Sequence, residues 1–144
     1  MSQPGVRSQA ASVLLIEDNP ADALLVEEAL SEHQVPVSLV VLGDGEKAIQ
    51  FLEEFDAITE SYPKLVVLDL NLPKRSGRDV LMCIRQRAQW NRVPVVILTS
   101  SNAPKDREEA IRLGANQYIR KPSQLEDFLN IGAIFKNFLS GCFP

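Results

Sequence analysis

Short apolar runs alternate with stretches of helical periodicity along the whole chain. Val13-Leu14-Leu15-Ile16 runs into Glu17-Asp18, Leu65-Val66-Val67-Leu68 into Asp69, Val93-Pro94-Val95-Val96-Ile97-Leu98 into Thr99, and Tyr118-Ile119-Arg120 into Lys121. Unbroken apolar runs of this length are expected of parallel strands covered by helices on both faces. A further strand is predicted over Val35 to Leu42, followed by a Gly43-Asp44-Gly45 loop.

Helices fall between the strands. Asn19-Pro20 supplies a cap residue and a proline at the first helical position, and the periodicity continues to about His33. Ala48, Ile49, Leu52 and Phe55 mark a second helix, and Val80, Leu81 and Ile84 a third, after the loop Leu72-Pro73-Lys74-Arg75-Ser76-Gly77. A short polar helix starts at Pro104 and stops at Gly114, and a last one, capped by Ser123, runs from Gln124 to Leu139. Strand and helix alternate five times, which predicts an α/β fold with a parallel sheet and no second domain.

Composition narrows the function. The 144 residues are 45% hydrophobic and 24% charged, as in ordinary globular domains, and the net charge of −4 argues against an electrostatic nucleic-acid binder. No apolar run approaches the roughly 20 residues of a membrane span. Residues 1–11 are polar and lack the apolar centre of a signal peptide, so they read as a disordered leader to a cytoplasmic protein. Cys83 and Cys142 form neither a disulfide framework nor a zinc pattern, with Cys83 expected as a small buried hydrophobe and Cys142 as exposed. His33, the single histidine, is expected in a helix-terminus or solvent role, and Trp90 and the Lys74-Arg75 pair as surface and loop residues.

The polar endings of the strands carry the chemistry. In an open parallel sheet, ligands bind at the carboxyl ends of the strands. There Glu17, Asp18 and Asp69 would concentrate negative charge, which is costly without compensation. A divalent cation and Lys121 together would cancel it, and carboxylate oxygens suit Mg²⁺. Asp69 is the candidate nucleophile, because a carboxylate can form an aspartyl-phosphate, and Thr99 and Lys121 could stabilise the phosphoryl oxygens. A Mg-dependent aspartyl phosphatase is the competing chemistry. It would need a general acid two residues after the nucleophile, where Asn71 stands, and an amide cannot shuttle a proton at neutral pH.

These residues give the chain, over about Ser12 to Leu139, a close resemblance to the receiver domain of two-component response regulators. The matching motifs are Glu17-Asp18, the segment Leu68-Asp69-Leu70-Asn71-Leu72-Pro73 with Gly77, the segment Leu98-Thr99-Ser100, and Lys121-Pro122. More narrowly, Glu-Asp-Asn-Pro-Ala-Asp from Glu17, Leu-Asp-Leu-Asn-Leu-Pro-Lys from Leu68 and Val-Ile-Leu-Thr-Ser-Ser from Val96 resemble single-domain regulators paired with bacterial phytochromes. The resemblance implies a doubly wound, flavodoxin-like (βα)5 sandwich with strand order 2-1-3-4-5, filling residues 12–144 without an effector domain. It implies phosphoryl transfer from a histidine kinase, expected to be of phytochrome type, onto Asp69. Asp18, Asp69 and the Asn71 backbone carbonyl would hold Mg²⁺, with Glu17 acting directly or through water. Thr99 and Lys121 would contact the phosphoryl group, Thr99 and Tyr118 would form the switch, and the Lys121-Pro122 bond is often cis in this family. On this reading the protein is not an enzyme but a phosphorylated switch of a protein-binding surface, or alternatively a phosphorelay shuttle without output of its own.

The last helix adds an expectation. Leu125, Phe128, Leu129, Gly132, Phe135 and Leu139 make one face, which should cover the sheet, and Ile131, Ile134 and Phe138 a stripe beside it. The apolar arc spans roughly 220°, against about 100° for a helix buried on one side. The surplus predicts a homodimer through the last helix and the fifth strand.

Overall fold

In a computed structural model, which describes residues 11–141, five parallel strands form one sheet in the order β2-β1-β3-β4-β5. The strands are β1 (Ala11–Ile16), β2 (Val37–Leu42), β3 (Leu65–Leu68), β4 (Val95–Thr99) and β5 (Gln117–Arg120). The helices are α1 (Pro20–Glu32), α2 (Gly45–Glu54), α3 (Gly77–Gln86), α4 (Pro104–Arg112) and α5 (Leu125–Leu139), with a short 3₁₀ turn over Ala88–Trp90. This is the flavodoxin-like sandwich expected. Every residue of β3 and β4 is buried.

Alternation along the strands divides the core in two, because successive side chains point to opposite faces. Leu14, Ile16, Val66, Leu68, Val95 and Ile97 pack with Ala48 and Leu52 of α2, Val80, Leu81 and Ile84 of α3, and Ala110 of α4. Val13, Leu15, Leu65, Val67, Val96 and Leu98 pack with Val26 and Leu30 of α1 and with Phe128, Ile131, Phe135 and Phe138 of α5. The helix starts follow the capping rules. Asn19 Oδ1 accepts hydrogen bonds from the Ala21 and Asp22 amides, Asp44 Oδ1 from Lys47, and Ser76 Oγ from Asp79.

The last helix corrects the sequence reading. Ile131 and Phe138 are 5% exposed and Ile134 is half-buried, all three packed in the core between α5, α1 and the sheet. The helix can use so wide an arc because α1 lies against it at very close range. A Cβ on Gly132 would sit 2.2 Å from the Ala29 carbonyl oxygen and 2.4 Å from His33 Nδ1. The stripe that pointed to a homodimer is therefore consumed within one copy, whereas Leu125, expected to cover the sheet, is 57% exposed. Gln124, not Ser123, occupies the cap position of α5, and its side chain makes no capping bond.

Other expectations shift by small amounts. Trp90 is buried, not a surface residue, and stacks edge-on against Phe55 and Tyr62 with centroids 5.2 and 5.4 Å apart. β2 starts at Val37 and β1 already at Ala11, the final residue of the predicted leader; residues 1–10 and Cys142 lie outside the described residues. Cys83 is half-buried. His33 caps α1 and its Nδ1 lies 3.1 Å from the Ala29 carbonyl, the expected helix-terminus role. Every peptide bond among the described residues is trans, including Lys121-Pro122, so the cis bond implied by the resemblance is absent. No helix among the described residues is long and apolar enough to cross a membrane.

Candidate functional site

Parallel pairing in register brings the polar strand endings together. Glu17, immediately after β1, donates its amide to the Leu42 carbonyl, and Asp69, immediately after β3, donates its amide to the Ile16 carbonyl. Thr99 ends β4, and its carbonyl accepts a 2.7 Å hydrogen bond from the Lys121 amide just past β5. The sheet's backbone thus fixes where Glu17, Asp69, Thr99 and Lys121 emerge.

Lys121 is the hub. Its Nζ lies 2.9 Å from Glu17 Oε1, 2.8 Å from Asp22 Oδ2 and 2.9 Å from Asp69 Oδ2. An ammonium has three N–H bonds, so each finds one carboxylate. Glu17 Oε2 also accepts from the Asn19 amide at 3.1 Å, and Asp69 Oδ1 from the Asn71 amide at 3.1 Å. Glu17, Asp18 and Asp69 each offer one oxygen within 4.8 Å of the others, a grouping able to hold a metal ion. Asp18 is exposed while its two companions are buried, so the cluster opens to solvent on one side.

Asp22 was not singled out from sequence. An acidic residue in the first turn of a helix ordinarily reads as complementing the helix dipole. Its partner is 99 positions away, and only the fold reveals the contact.

Burial and charge set the protonation of the cluster. Burial disfavours the Lys121 charge, but Asp22, Asp69 and Glu17 outweigh it and hold the ammonium above the usual lysine range. Glu17 goes the other way: burial, helped by the Asp69 charge, raises its carboxyl from 4.5 to about 7 against the opposing pull of Lys121 and the Asn19 amide. The two directions are compatible because one ammonium is shared among three carboxylates. A carboxyl whose pKa is raised on folding stabilises the fold fully below its unfolded pKa, and that contribution disappears as pH rises through the folded pKa. Metal-free protein should therefore melt a few degrees lower at pH 8 than at pH 5. Glu17→Gln should flatten that profile in thermal melts followed by circular dichroism. Lys121 does not alter this window, since its contribution is lost only above pH 10.5.

Thr99 is fully buried, and its Oγ1 has no hydrogen-bond partner among the described residues. Buried hydroxyls are rarely left this way. Tyr118, on β5, is buried with its hydroxyl donating to the Ser101 carbonyl at 3.0 Å, and the Arg107 guanidinium sits 5.7 Å from the ring centroid. The ring of this expected switch residue already lies inward. Lys74 and Arg75 are exposed on the β3–α3 loop, with acidic partners: Lys74 Nζ is 3.8 Å from Asp44 and Arg75 Nε 3.4 Å from Asp79.

Known proteins share this fold. The sequence profile described as "Response regulator receiver domain" matches residues 13–132. Response regulator Rcp1 of Synechocystis sp. is 39% identical over 120 residues, covering 83% of this chain and 82% of its own length. The crystal structure of the Mn²⁺-bound form of Rcp1 superposes with a TM-score of 0.79 at 36% identity, over 89% of this chain and 93% of that one. The phosphorylated cyanobacterial phytochrome response regulator RcpA does so with a TM-score of 0.83 at 35% identity, over 94% and 97%. With a lysine-centred carboxylate crevice on a 2-1-3-4-5 parallel sheet and a family profile spanning most of its length, this chain belongs to the response regulator receiver domain family.

Proposed function

We propose that this protein is a cytoplasmic phosphorylation switch in which Asp69 accepts a phosphoryl group, with Mg²⁺, from a histidine kinase of phytochrome type. The observation that carries the reading is Thr99 Oγ1, a fully buried hydroxyl without a partner among the described residues, at the end of β4 beside the strand that Asp69 follows. An incoming phosphoryl oxygen would supply the acceptor it lacks. The phytochrome partner is supported by the likeness to RcpA, a phytochrome response regulator.

The donor set fits the metal. Glu17, Asp18 and Asp69 offer hard oxygens only, and the Asn71 carbonyl can add a neutral one. When bound, Mg²⁺ supplies positive charge to the phosphoryl oxygens. In the transfer an Asp69 oxygen attacks phosphorus while the bond to the donor's histidine nitrogen breaks and its electron pair stays on that nitrogen. Lys121 balances the charge that gathers on the phosphoryl oxygens, and Thr99 donates its hydroxyl hydrogen to one of them.

The output reads as a change in surface around α4, of whose residues only Ala110 is buried. Its ties to the body of the domain include the Arg78–Glu109 ion pair at 3.0 Å, the Arg107 guanidinium over the Tyr118 ring, and the β4–α4 loop held by Tyr118. A dimer is not part of this reading, because Ile131 and Phe138 are buried within one copy and Ile134 is half-buried against the same core.

Incubation with acetyl phosphate and Mg²⁺, followed by intact mass, tests the proposal. The expected result is a gain of one phosphoryl group that requires Mg²⁺ and is lost in Asp69→Asn. An unchanged mass in the wild type would refute it, and a gain retained in the variant would place the phosphate elsewhere.

A further inference from the structure

Asp22 takes no part in the carboxylate group able to hold a metal, yet it makes the shortest of the three contacts to Lys121, at 2.8 Å. Its backbone is fixed by the α1 cap, where its amide donates to Asn19 Oδ1 at 3.2 Å, and its side chain is 23% exposed. The other two acceptors on Lys121, Glu17 and Asp69, both belong to the metal-holding group. Among the described residues, Asp22 is therefore the one anchor of the ammonium that lies outside the metal-holding group.

We propose that Asp22 is a positioning residue that sets how the Lys121 charge is divided between α1 and Asp69. This rests on the reading of Asp69 as phosphoacceptor. The carboxylate draws the ammonium toward α1 and offsets part of its charge. That offset lessens the repulsion an incoming cation feels and weakens the attraction available to an anion on Asp69.

The consequence has opposite signs for two ligands. Asp22→Asn keeps the side chain's shape and one acceptor oxygen but removes the charge. Affinity for Mg²⁺ should then fall about three- to tenfold, and affinity for beryllofluoride, a phosphoryl mimic, at saturating Mg²⁺ should rise by a similar factor. A residue that merely braces α1 would move both affinities the same way, through loss of structure. Asp22→Glu, which restores the charge, should recover Mg²⁺ affinity.

Calorimetric titration of the full chain with MgCl₂, and then with beryllofluoride in saturating Mg²⁺, gives both readouts. The chain's melting temperature in the absence of metal reports whether the variants fold. Opposite shifts in Asp22→Asn support the proposal. Unchanged affinities, or a parallel loss of both in the folded variant, would overturn it while leaving the phosphoacceptor reading intact. Wild-type protein that binds no beryllofluoride would overturn both. If Asp22→Asn does not fold, the outcome rests on Asp22→Glu: Mg²⁺ binding close to wild type supports the proposal, and a loss of tenfold or more counts against it.

Discussion

Lys121→Met should destabilise the metal-free protein by about 3–5 kcal/mol, the usual consequence of leaving buried charge without its partner. The lysine side chain is only 11% exposed, and no other cation is paired with Glu17, Asp22 or Asp69 among the described residues. Methionine fills much the same volume, so the loss is one of charge more than of packing. Glu17, already raised by burial, will hold its proton more tightly still once the opposing pull of Lys121 is gone. The variant's deficit should therefore grow between pH 5 and pH 8, as that proton is removed. Mg²⁺ should partly restore stability, and should bind more tightly than to the wild type, because the ammonium that repels it is gone. Phosphorylation by acetyl phosphate should slow by about 10²–10³-fold, the scale for deleting one preorganised partner of developing negative charge. Thermal melts at two pH values, with and without Mg²⁺, and mass spectrometry against time read all of these. A variant as stable as the wild type at pH 8 without metal would show that the carboxylates do not depend on Lys121.

That dependence explains which parts of the site were legible in the sequence. The apolar runs of β1, β3 and β4 stand out because both faces are covered, and a parallel sheet puts whatever follows each run at one edge. Glu17, Asp69 and Thr99 could be assembled from that rule alone, and Lys121 from the short, partly buried run of β5 read the same way. Asp22 could not, since nothing local distinguishes a helix-start carboxylate that reaches across the crevice from one that faces water. Trp90 was misread for a similar reason. It sits in a three-residue 3₁₀ turn, too short to show periodicity, and its burial depends on Phe55 and Tyr62, which precede β3 in the chain and pack on the same face of the sheet. The second stripe of α5 was misjudged because helix periodicity counts faces and says nothing of how many neighbours a helix has. Gly132, in mid-helix, was the available signal, since glycine there admits a close backbone approach at a cost in helix stability.

Gly77→Ala should damage both stability and phosphorylation, and the geometry says why one methyl group matters. Gly77 is the first residue of α3, and its amide donates to the Leu70 carbonyl at 2.9 Å. A Cβ at this position would lie 2.0 Å from the Asp69 carbonyl oxygen and 2.7 Å from the Leu70 Cα. Both are backbone atoms, so no flexible side chain can swing aside. Either α3 moves away from the sheet or the end of β3 shifts. Moving α3 would disturb Val80, Leu81 and Ile84, all fully buried, and shifting β3 would strain the hydrogen bond that the Asp69 amide donates to the Ile16 carbonyl. Overpacking of this kind costs about 1–3 kcal/mol, more than the gain in helix propensity from alanine can return. The second path also displaces the Asp69 carboxylate from Lys121 and from its companions in the metal-holding group, so the rate of phosphoryl gain should fall by more than the loss of folded protein accounts for. Gly43→Ala is the matched control, because a Cβ there meets nothing within 4 Å. It should leave both the melting temperature and the phosphorylation rate close to wild type. Equal behaviour of the two variants would mean that the approach of α3 to Asp69 does not constrain the nucleophile.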